Sequence, residues 1–397
     1  MSTDLPAGSR PARVAFYNDP KVRSIAYQVA LCALVAIAVY IAASNAITNL
    51  ERAHIASGFG FWNNTAGFDI SQTLIEYSAQ ASTYGRAFWV GLLNTLLVAA
   101  IGIIIATILG FIIGIARLSK NWLVARAASG YVETIRNIPL LLQLLFWYNA
   151  VLKALPELRD SFKIPGGIIL NNRGLFIPHP VFAAQFKWVV FAIIFGILAS
   201  IAFYIWSRKR QEKTGRQAPV FTVALALIIG LPLVALAITG FPLSFEFPQA
   251  GRFNIAGGLE ILPEFAALLF GLSIYTAAFI AEVVRAGIRA VSHGQTEAAY
   301  SLGLRAQPTL RLIVVPQAMR VIIPPLTSQY LNLTKNSSLA VAIGYPDLVQ
   351  VFTGTVLNQT GQAVEVVAIT MAVYLAISLG TSLLMNFYNS RIALVER

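Results

Sequence analysis

Cysteine is almost missing from this chain. Cys32 is the only one in 397 residues, which excludes an intrachain disulfide framework and a cysteine-rich metal site. Histidine is nearly as scarce. His54, His179 and His293 lie far apart and on different predicted sides of a membrane, so no shared metal site is expected. Only 12% of the residues are charged, far below the share in a soluble domain. No glycine-rich segment ends in Lys-Ser or Lys-Thr, so a phosphate loop for ATP is absent. No Ser/His/Asp grouping of recognisable geometry emerges either, so catalysis by this chain is not expected.

What fills the chain is apolar: 57% of residues are hydrophobic, gathered in runs long enough to cross roughly 30 Å of hydrocarbon. Spans are expected at 25–47, 89–115, 138–155, 188–206, 219–240, 265–284, 318–344 and 363–387. The first run shares Ser44-Asn45-Ala46 with the cleavage pattern of a signal peptide, but its apolar core far exceeds the roughly 7–15 residues such a peptide uses. Pro139 suits the first turn of the third span, where its missing N–H costs nothing, and Pro232 should kink the fifth.

Between the spans, residues 48–88 form a long connection whose Phe59, Phe61, Trp62 and Phe68 suit a membrane–water interface. Residues 156–187 are rich in Pro and Gly and read as an irregular loop. The net charge of +12 resides mostly in short connections. The ends of the chain and alternate loops share one side, which holds most of the Lys and Arg. The positive-inside rule makes that side cytoplasmic and leaves no charge for nucleic acid to explain.

On that side lies Ser292-His293-Gly294-Gln295, with the spacing of a capping box. A short helix would follow, carrying Glu297 near its positive end and the small Ala298 and Ala299. Gly303 allows the chain to turn or another backbone to approach. Pro308 opens a second short helix running to Pro316. The expectation is a helix-turn-helix finger shaped for a partner, although a plain capped loop fits the same residues.

Two further patterns stand out. Pro324-Pro325 should interrupt the seventh span and free carbonyls that lipid cannot satisfy. After it, Ser328, Gln329, Asn332, Lys335 and Asn336 recur at helical spacing and share a face. Lys335 inside a span costs roughly 2.5–3.5 kcal/mol to insert. The face reads as a wall of a translocation path, or as a tie to a neighbouring subunit. Glu282 with Arg285, and Glu133 with Arg136, have the spacing of local ion pairs. Gln143 and Asn94 are single amides that more often join helices than bind solute.

Glu297-Ala298-Ala299, Gly303, Ile313 and Pro316 resemble the cytoplasmic loop motif of permease subunits of ATP-binding-cassette importers, with Val315 where that motif has Leu. Asn94-Thr95-Leu96, the stretch from Glu133 to Gln143, the stretch from Ala281 to Gly287 and Lys335-Asn336-Ser337-Ser338-Leu339 resemble the polar-amino-acid branch of that family. Asn336 stands where that branch carries an acid. The fourth and fifth spans look like an insertion, which, with Ala66 to Ile70 and Tyr84-Gly85-Arg86, is similar to a permease of the general L-amino-acid uptake systems.

This resemblance implies an all-α polytopic membrane protein with about eight transmembrane helices, in the MetI-like importer permease fold. It implies a cytoplasmic tail at 1–23, a first transmembrane helix at 24–47, a periplasmic loop at 48–88 and permease core at 89–155. Periplasmic loops with an inserted helix pair at 156–262 would follow. The second core part spans 263–387, with its coupling loop at 285–317, and a cytoplasmic tail covers 388–397. The site would be in the bacterial inner membrane with both termini cytoplasmic. Glu297, Ala298, Ala299, Gly303 and Pro316 would couple to a cytoplasmic ATPase dimer, which binds the ATP and Mg that this subunit does not. Other implied partners are a second permease, with a heterodimer favoured, a periplasmic amino-acid-binding protein and membrane lipid. An ion-coupled carrier with a broken-helix site is the alternative, and a non-transporting scaffold is a third reading.

Overall fold

The computed structural model describes residues 20–52, 57–251 and 254–392. The tail up to residue 19, His54 and residues 393–397 lie outside them. Among the described residues seven helices are long and apolar enough to cross a membrane, or eight when one bent pair counts as a span. The chain is a multi-pass membrane protein of helices, as its apolar runs require: in lipid only a helix or a closed barrel satisfies every backbone polar group internally.

Helix α1 (Pro20–Arg52) holds the first span, and no residue of its apolar window is buried inside the chain. Lipid or another subunit therefore covers it. Helix α2 (Tyr84–Ala116) starts at Thr83, whose hydroxyl accepts a hydrogen bond from the Arg86 N–H and fills one orphan donor of the first turn. The aromatic residues of the preceding connection, expected at a membrane–water interface, pack within the chain instead. Phe61 is buried, and Trp62 and Phe68 pack with Tyr84, Phe88 and Phe352 into one aromatic cluster. Only Phe59 of that set stays exposed. Packing rings together removes more apolar surface from water than laying them at an interface.

The connection between the spans expected at 89–115 and 138–155 is largely helical, since 122–137 form α3 (Trp122–Asn137). Asn121 caps it by accepting from the N–H groups of Leu123 and Val124. Helix α4 (Leu140–Leu145) and a wide π-turn (Phe146–Leu152) follow, bent by 105° from α3. The third expected span thus falls on the second arm of a bent pair whose first arm precedes the apolar run. Ile138 is extended before Pro139, as a residue preceding proline prefers. Gln143 Nε2 donates to the carbonyls of Ile135 and Ile138, both 2.9 Å away, and so closes the bend.

Helix α5 (Phe186–Thr214) forms a hairpin with α6 (Val220–Leu225), a π-turn (Ala226–Gly230) and α7 (Leu231–Ile238). The kink expected of Pro232 takes the form of that π-turn, because a proline ring clashes with the carbonyl four residues back. The flanking connections are not irregular. Strands β1 (Phe162–Ile164), β2 (Ile168–Asn171) and β3 (Gly174–Ile177) form an antiparallel sheet, completed on β3 by the distant β8 (Leu259–Ile261). Strands β4 (His179–Phe182) and β5 (Leu243–Glu246) pair, as do β6 (Gln249–Ala250) and β7 (Ile255–Ala256). Turns built on Gly166 and Gly167, both at positive φ, suit hairpins as well as loops.

The core is built on α8 (Pro263–Arg289) lying along α2. The two backbones approach closely. A Cβ at Gly110 would stand 2.5 Å from Ile280 Cβ, and one at Gly114 would stand 2.8 Å from the Ala281 carbonyl. Helices α9 (His293–Ser301) and α10 (Ala306–Thr309), a π-turn (Leu310–Val314) and α11 (Val315–Asn336) follow. A 3-10 segment (Ser337–Ile343), a π-turn (Val349–Val356), α12 (Leu357–Thr360) and α13 (Ala363–Ile392) complete the chain. One main core joins residues of α2, α4, α8 and α11, including Val98, Leu144, Leu268, Ile280, Ile322 and Leu333.

Candidate functional site

The polar finger is present. Ser292 occupies the N-cap of α9 but its side chain makes no capping bond, so the expected capping box does not form. Gln295, the other half of that box, has its Oε1 3.3 Å from Gln317 Nε2 and so ties α9 to α11. At the other end of α9 the Gly303 N–H donates to the Tyr300 carbonyl and the Leu304 N–H to the Ala299 carbonyl, at 2.9 and 3.1 Å. These are the two bonds of a Schellman motif, which needs a left-handed residue. Gly303 supplies it with φ +77°, and no atom lies within 4 Å of its missing Cβ. Of the two roles expected of Gly303, the turn is the one it performs here.

Ala299 is buried against the rest of the finger, whereas Glu297 and Ala298 face outward. Tyr300 and Leu302, which the sequence reading passed over, are 51% and 82% exposed. A polar finger whose tip shows a tyrosine and a leucine has an apolar knob ready for a partner groove. Pro316 is in the first turn of α11, directly after the π-turn that contains Ile313.

Helix α11 runs unbroken through Pro324 and Pro325, contrary to the expected interruption. The two prolines withhold N–H groups from the carbonyls of Arg320 and Val321, and those residues and the prolines lie on partly or fully exposed surface. The chain gives way at the π-turn of 310–314 instead, one turn before Pro316.

The five polar residues do share a face. Ser328, Asn332 and Lys335 are exposed, and Gln329 and Asn336 half-buried. The opposite face, with Ile322, Ile323, Leu326 and Leu333, is buried in the core. The polar face is thus turned away from this chain's own core. Lys335 also lines a cleft of about 490 Å³ with Ser338, Thr370, Met371 and Tyr374. The polar face belongs to one helical run, from Ala306 to Ile343, which begins after the Gly303 turn that ends α9; Pro316 and Ser328 stand roughly 18 Å apart along it at 1.5 Å per residue.

Glu282 meets Arg285, as its spacing predicts, and also Arg117 at the end of α2. Arg117 in turn donates to Ser129 Oγ of α3 at 3.3 Å. Glu133 and Arg136 form no such pair. The Arg136 guanidinium lies 5.0 Å from the centre of the Phe279 ring instead, a contact that keeps its charge near an apolar helix. Asn94 Nδ2 donates to the carbonyls of Gln72 and Pro346, each at 2.9 Å. The neighbouring Thr95 Oγ1 accepts from the Leu348 N–H at 3.0 Å.

A residue missed by the sequence reading lies in that same connection. Asp347 is fully buried; its Oδ1 accepts from the Gln350 N–H at 2.8 Å and its Oδ2 from the Tyr374 hydroxyl at 3.1 Å. The signal was there to read, as a lone acid in Gly344-Tyr345-Pro346-Asp347 between two long apolar runs. Tyr374 touches both Asp347 and the cleft of Lys335.

Comparison with known proteins adds a family. Residues 214–394 match the family described as binding-protein-dependent transport system inner membrane component. The chain is 54% identical over 385 residues to the general L-amino acid transport system permease protein AapQ of Rhizobium johnstonii, covering 97% of this chain and 96% of that one. It is 52% identical over 382 residues to the putative amino-acid ABC transporter permease protein YhdX of Escherichia coli, covering 96% and 97%. It is 43% identical to the glutamate/glutamine/aspartate/asparagine transport system permease protein BztB of Rhodobacter capsulatus, over the whole of both chains. With its helices, its outward-facing finger and relatives that match nearly end to end, the chain belongs to the ABC transporter permeases of the binding-protein-dependent inner-membrane family, a transport subunit rather than an enzyme.

Proposed function

We propose that this chain is the permease of an importer of L-amino acids, that it builds the translocation path with a second permease, and that α9 couples it to a separate ATPase. The observation that carries this reading is that the exposed finger α9 is tied to α11 by Gln295 and Gln317 and leads, past the Gly303 turn, into the helical run that bears the polar face. A push on α9 is delivered through the π-turn to α11, whose polar face is only partly covered within this chain. Rigid-body tilting of α11 against its partner would expose that face alternately to the two sides of the membrane.

In this reading Glu297, Ala298, Ala299 and Gly303 form the docking finger, with Tyr300 and Leu302 as its apolar tip, and Pro316 places the hinge. Ser328, Gln329, Asn332, Lys335 and Asn336 form the polar wall of the path. Lys335, a cation on a face of amides and hydroxyls, suits the carboxylate that all amino acids share. A two-ATPase machine needs two docking fingers, and this chain has one, so a second permease is required; a heterodimer is favoured. A periplasmic binding protein delivers the substrate, the ATPase subunits hold ATP and Mg, and both termini are cytoplasmic. The relatives are named for general L-amino acids and for glutamate, glutamine, aspartate and asparagine, which supports L-amino acids as the substrate class without choosing within it. Nothing in the helices favours an ion-coupled carrier, and the break expected at Pro324-Pro325 for its site is not there in α11.

The test is Glu297→Lys or Gly303→Trp in the intact system. Each should abolish uptake and co-purification of the ATPase with normal membrane insertion, and Lys335→Ala should reduce uptake with the ATPase still bound. Unchanged uptake in the first two variants would refute coupling through α9.

A further inference from the structure

Helix α5 is 29 residues long, about 43 Å at 1.5 Å per residue, against roughly 30 Å of hydrocarbon. Its end therefore continues as helix beyond the apolar layer, until Gly215 at φ +67° stops it. One side of α5, with Val189, Gly196, Ser200 and Ser207, is buried against the other arm of the hairpin. The approach is close, since a Cβ on Gly196 would stand 2.4 Å from the Leu227 carbonyl.

Away from that side runs a stripe at three- and four-residue spacing. Phe191, Phe195, Leu198 and Trp206 are each more than half exposed, and the stripe continues into Lys209 and Lys213 on the same face. The Arg210 guanidinium lies 5.2 Å from the centre of the Trp206 ring, so a third cation is held at the same level. The one acid here, Glu212, is engaged by Arg208 at 3.5 Å. Lys209, Arg210 and Lys213 thus have no carboxylate partner among the described residues.

We infer that this stripe is a binding site for an anionic diacyl phospholipid. Its acyl chains lie along Phe195 and Leu198, and its phosphate is held by Lys209, Arg210 and Lys213 beside the Trp206 ring. The order of chemistry along the helix matches that of the lipid: apolar, then an indole of the kind found at headgroup level, then cations. A soluble anion would need the cations but not the exposed apolar stripe that leads into them.

The experiment is native mass spectrometry of the complete detergent-purified transporter, exposed in turn to phosphatidylglycerol and to phosphatidylcholine of the same chain length. Phosphatidylglycerol should be retained in preference to phosphatidylcholine. The variant K209Q/R210Q/K213Q should lose that retention by at least about tenfold, since each basic residue near an anionic surface adds attraction. K209R/R210K/K213R, which keeps the charge, should retain the lipid, as should R208Q/E212Q. Equal retention of the two lipids by the unaltered protein would overturn the proposal, as would a triple Gln variant that still holds phosphatidylglycerol. Displacement of the lipid by millimolar inorganic phosphate would show a simple anion site and overturn it too. So would a triple Gln variant that sheds the ATPase while lipid retention stays intact, since the cations would then face a protein.

Discussion

Arg117 closes α2 and Glu282 lies 165 residues later in α8, yet their side chains form an ion pair that Arg285 joins from the same helix. The Arg117 side chain is only 10% exposed and that of Glu282 27%. The pair fastens the two central helices near the end of α8 from which the finger departs. Glu282→Gln should leave Arg117 half-buried without its counter-charge and cost about 2–3 kcal/mol. A double-mutant cycle with Arg117→Met, read from unfolding in detergent, should give a coupling of about 1–2 kcal/mol. Additive effects would show that the pair does not tie the helices.

The same two helices depend on glycine for their separation. Gly110→Val should be incompatible with Ile280 in its present place, and overpacking of this kind costs roughly 1–3 kcal/mol. Combining it with Ile280→Ala should recover most of the lost thermal midpoint. Without such recovery, the loss would have to come from the helix backbone rather than the crossing.

Asn94→Leu removes two hydrogen bonds and leaves the Gln72 and Pro346 carbonyls without that donor. An expected cost of about 2–3 kcal/mol follows. Amide hydrogen exchange should quicken over residues 344–350, the segment that Asn94 and Thr95 hold against α2. Exchange confined to other segments would contradict this role.

Asp347→Leu should destabilise the chain by about 2–4 kcal/mol, because the Gln350 N–H and the Tyr374 hydroxyl would lose their buried acceptor. Asp347→Asn keeps an acceptor oxygen and should be much milder. Equal losses in the two variants, measured by thermal unfolding, would mean that packing rather than hydrogen bonding governs the position.

Leu302→Asp changes a side chain 82% exposed in this chain, so its thermal midpoint should hardly move. Binding of the ATPase should nonetheless fall at least about tenfold, the effect of placing a charge in an apolar contact. Undiminished co-purification would show that Leu302 lies outside the docking surface.

Much of this was legible in the chain. Long uncharged runs identify spans because a bilayer core leaves a peptide only the helix or the barrel, and spacing alone placed Ser328 to Asn336 on one face. The Glu282–Arg285 pair was legible for the same reason, being a single turn of helix. Errors gathered where proline or loop composition was read locally. Pro324-Pro325 was taken for a break, yet neighbouring turns and packing hold the helix, and the distortion falls at the π-turn before Pro316. The irregular loop expected at 156–187 is instead built into a sheet, because β3 finds its partner β8 beyond the whole α5–α7 hairpin, a pairing with no local trace.

Apolar runs, few charges and one cysteine determined by themselves a polytopic helical protein without an intrachain disulfide. The sequence also determined where the finger lies, since a Glu-Ala-Ala segment with its glycine and proline is a property of contiguous residues. Only the tertiary structure decided which polar residues meet. Arg117 with Glu282, Asn94 with Pro346 and Asp347 with Tyr374 are contacts between elements, set by how helices cross, and helix crossing depends on side-chain shapes that linear spacing does not encode.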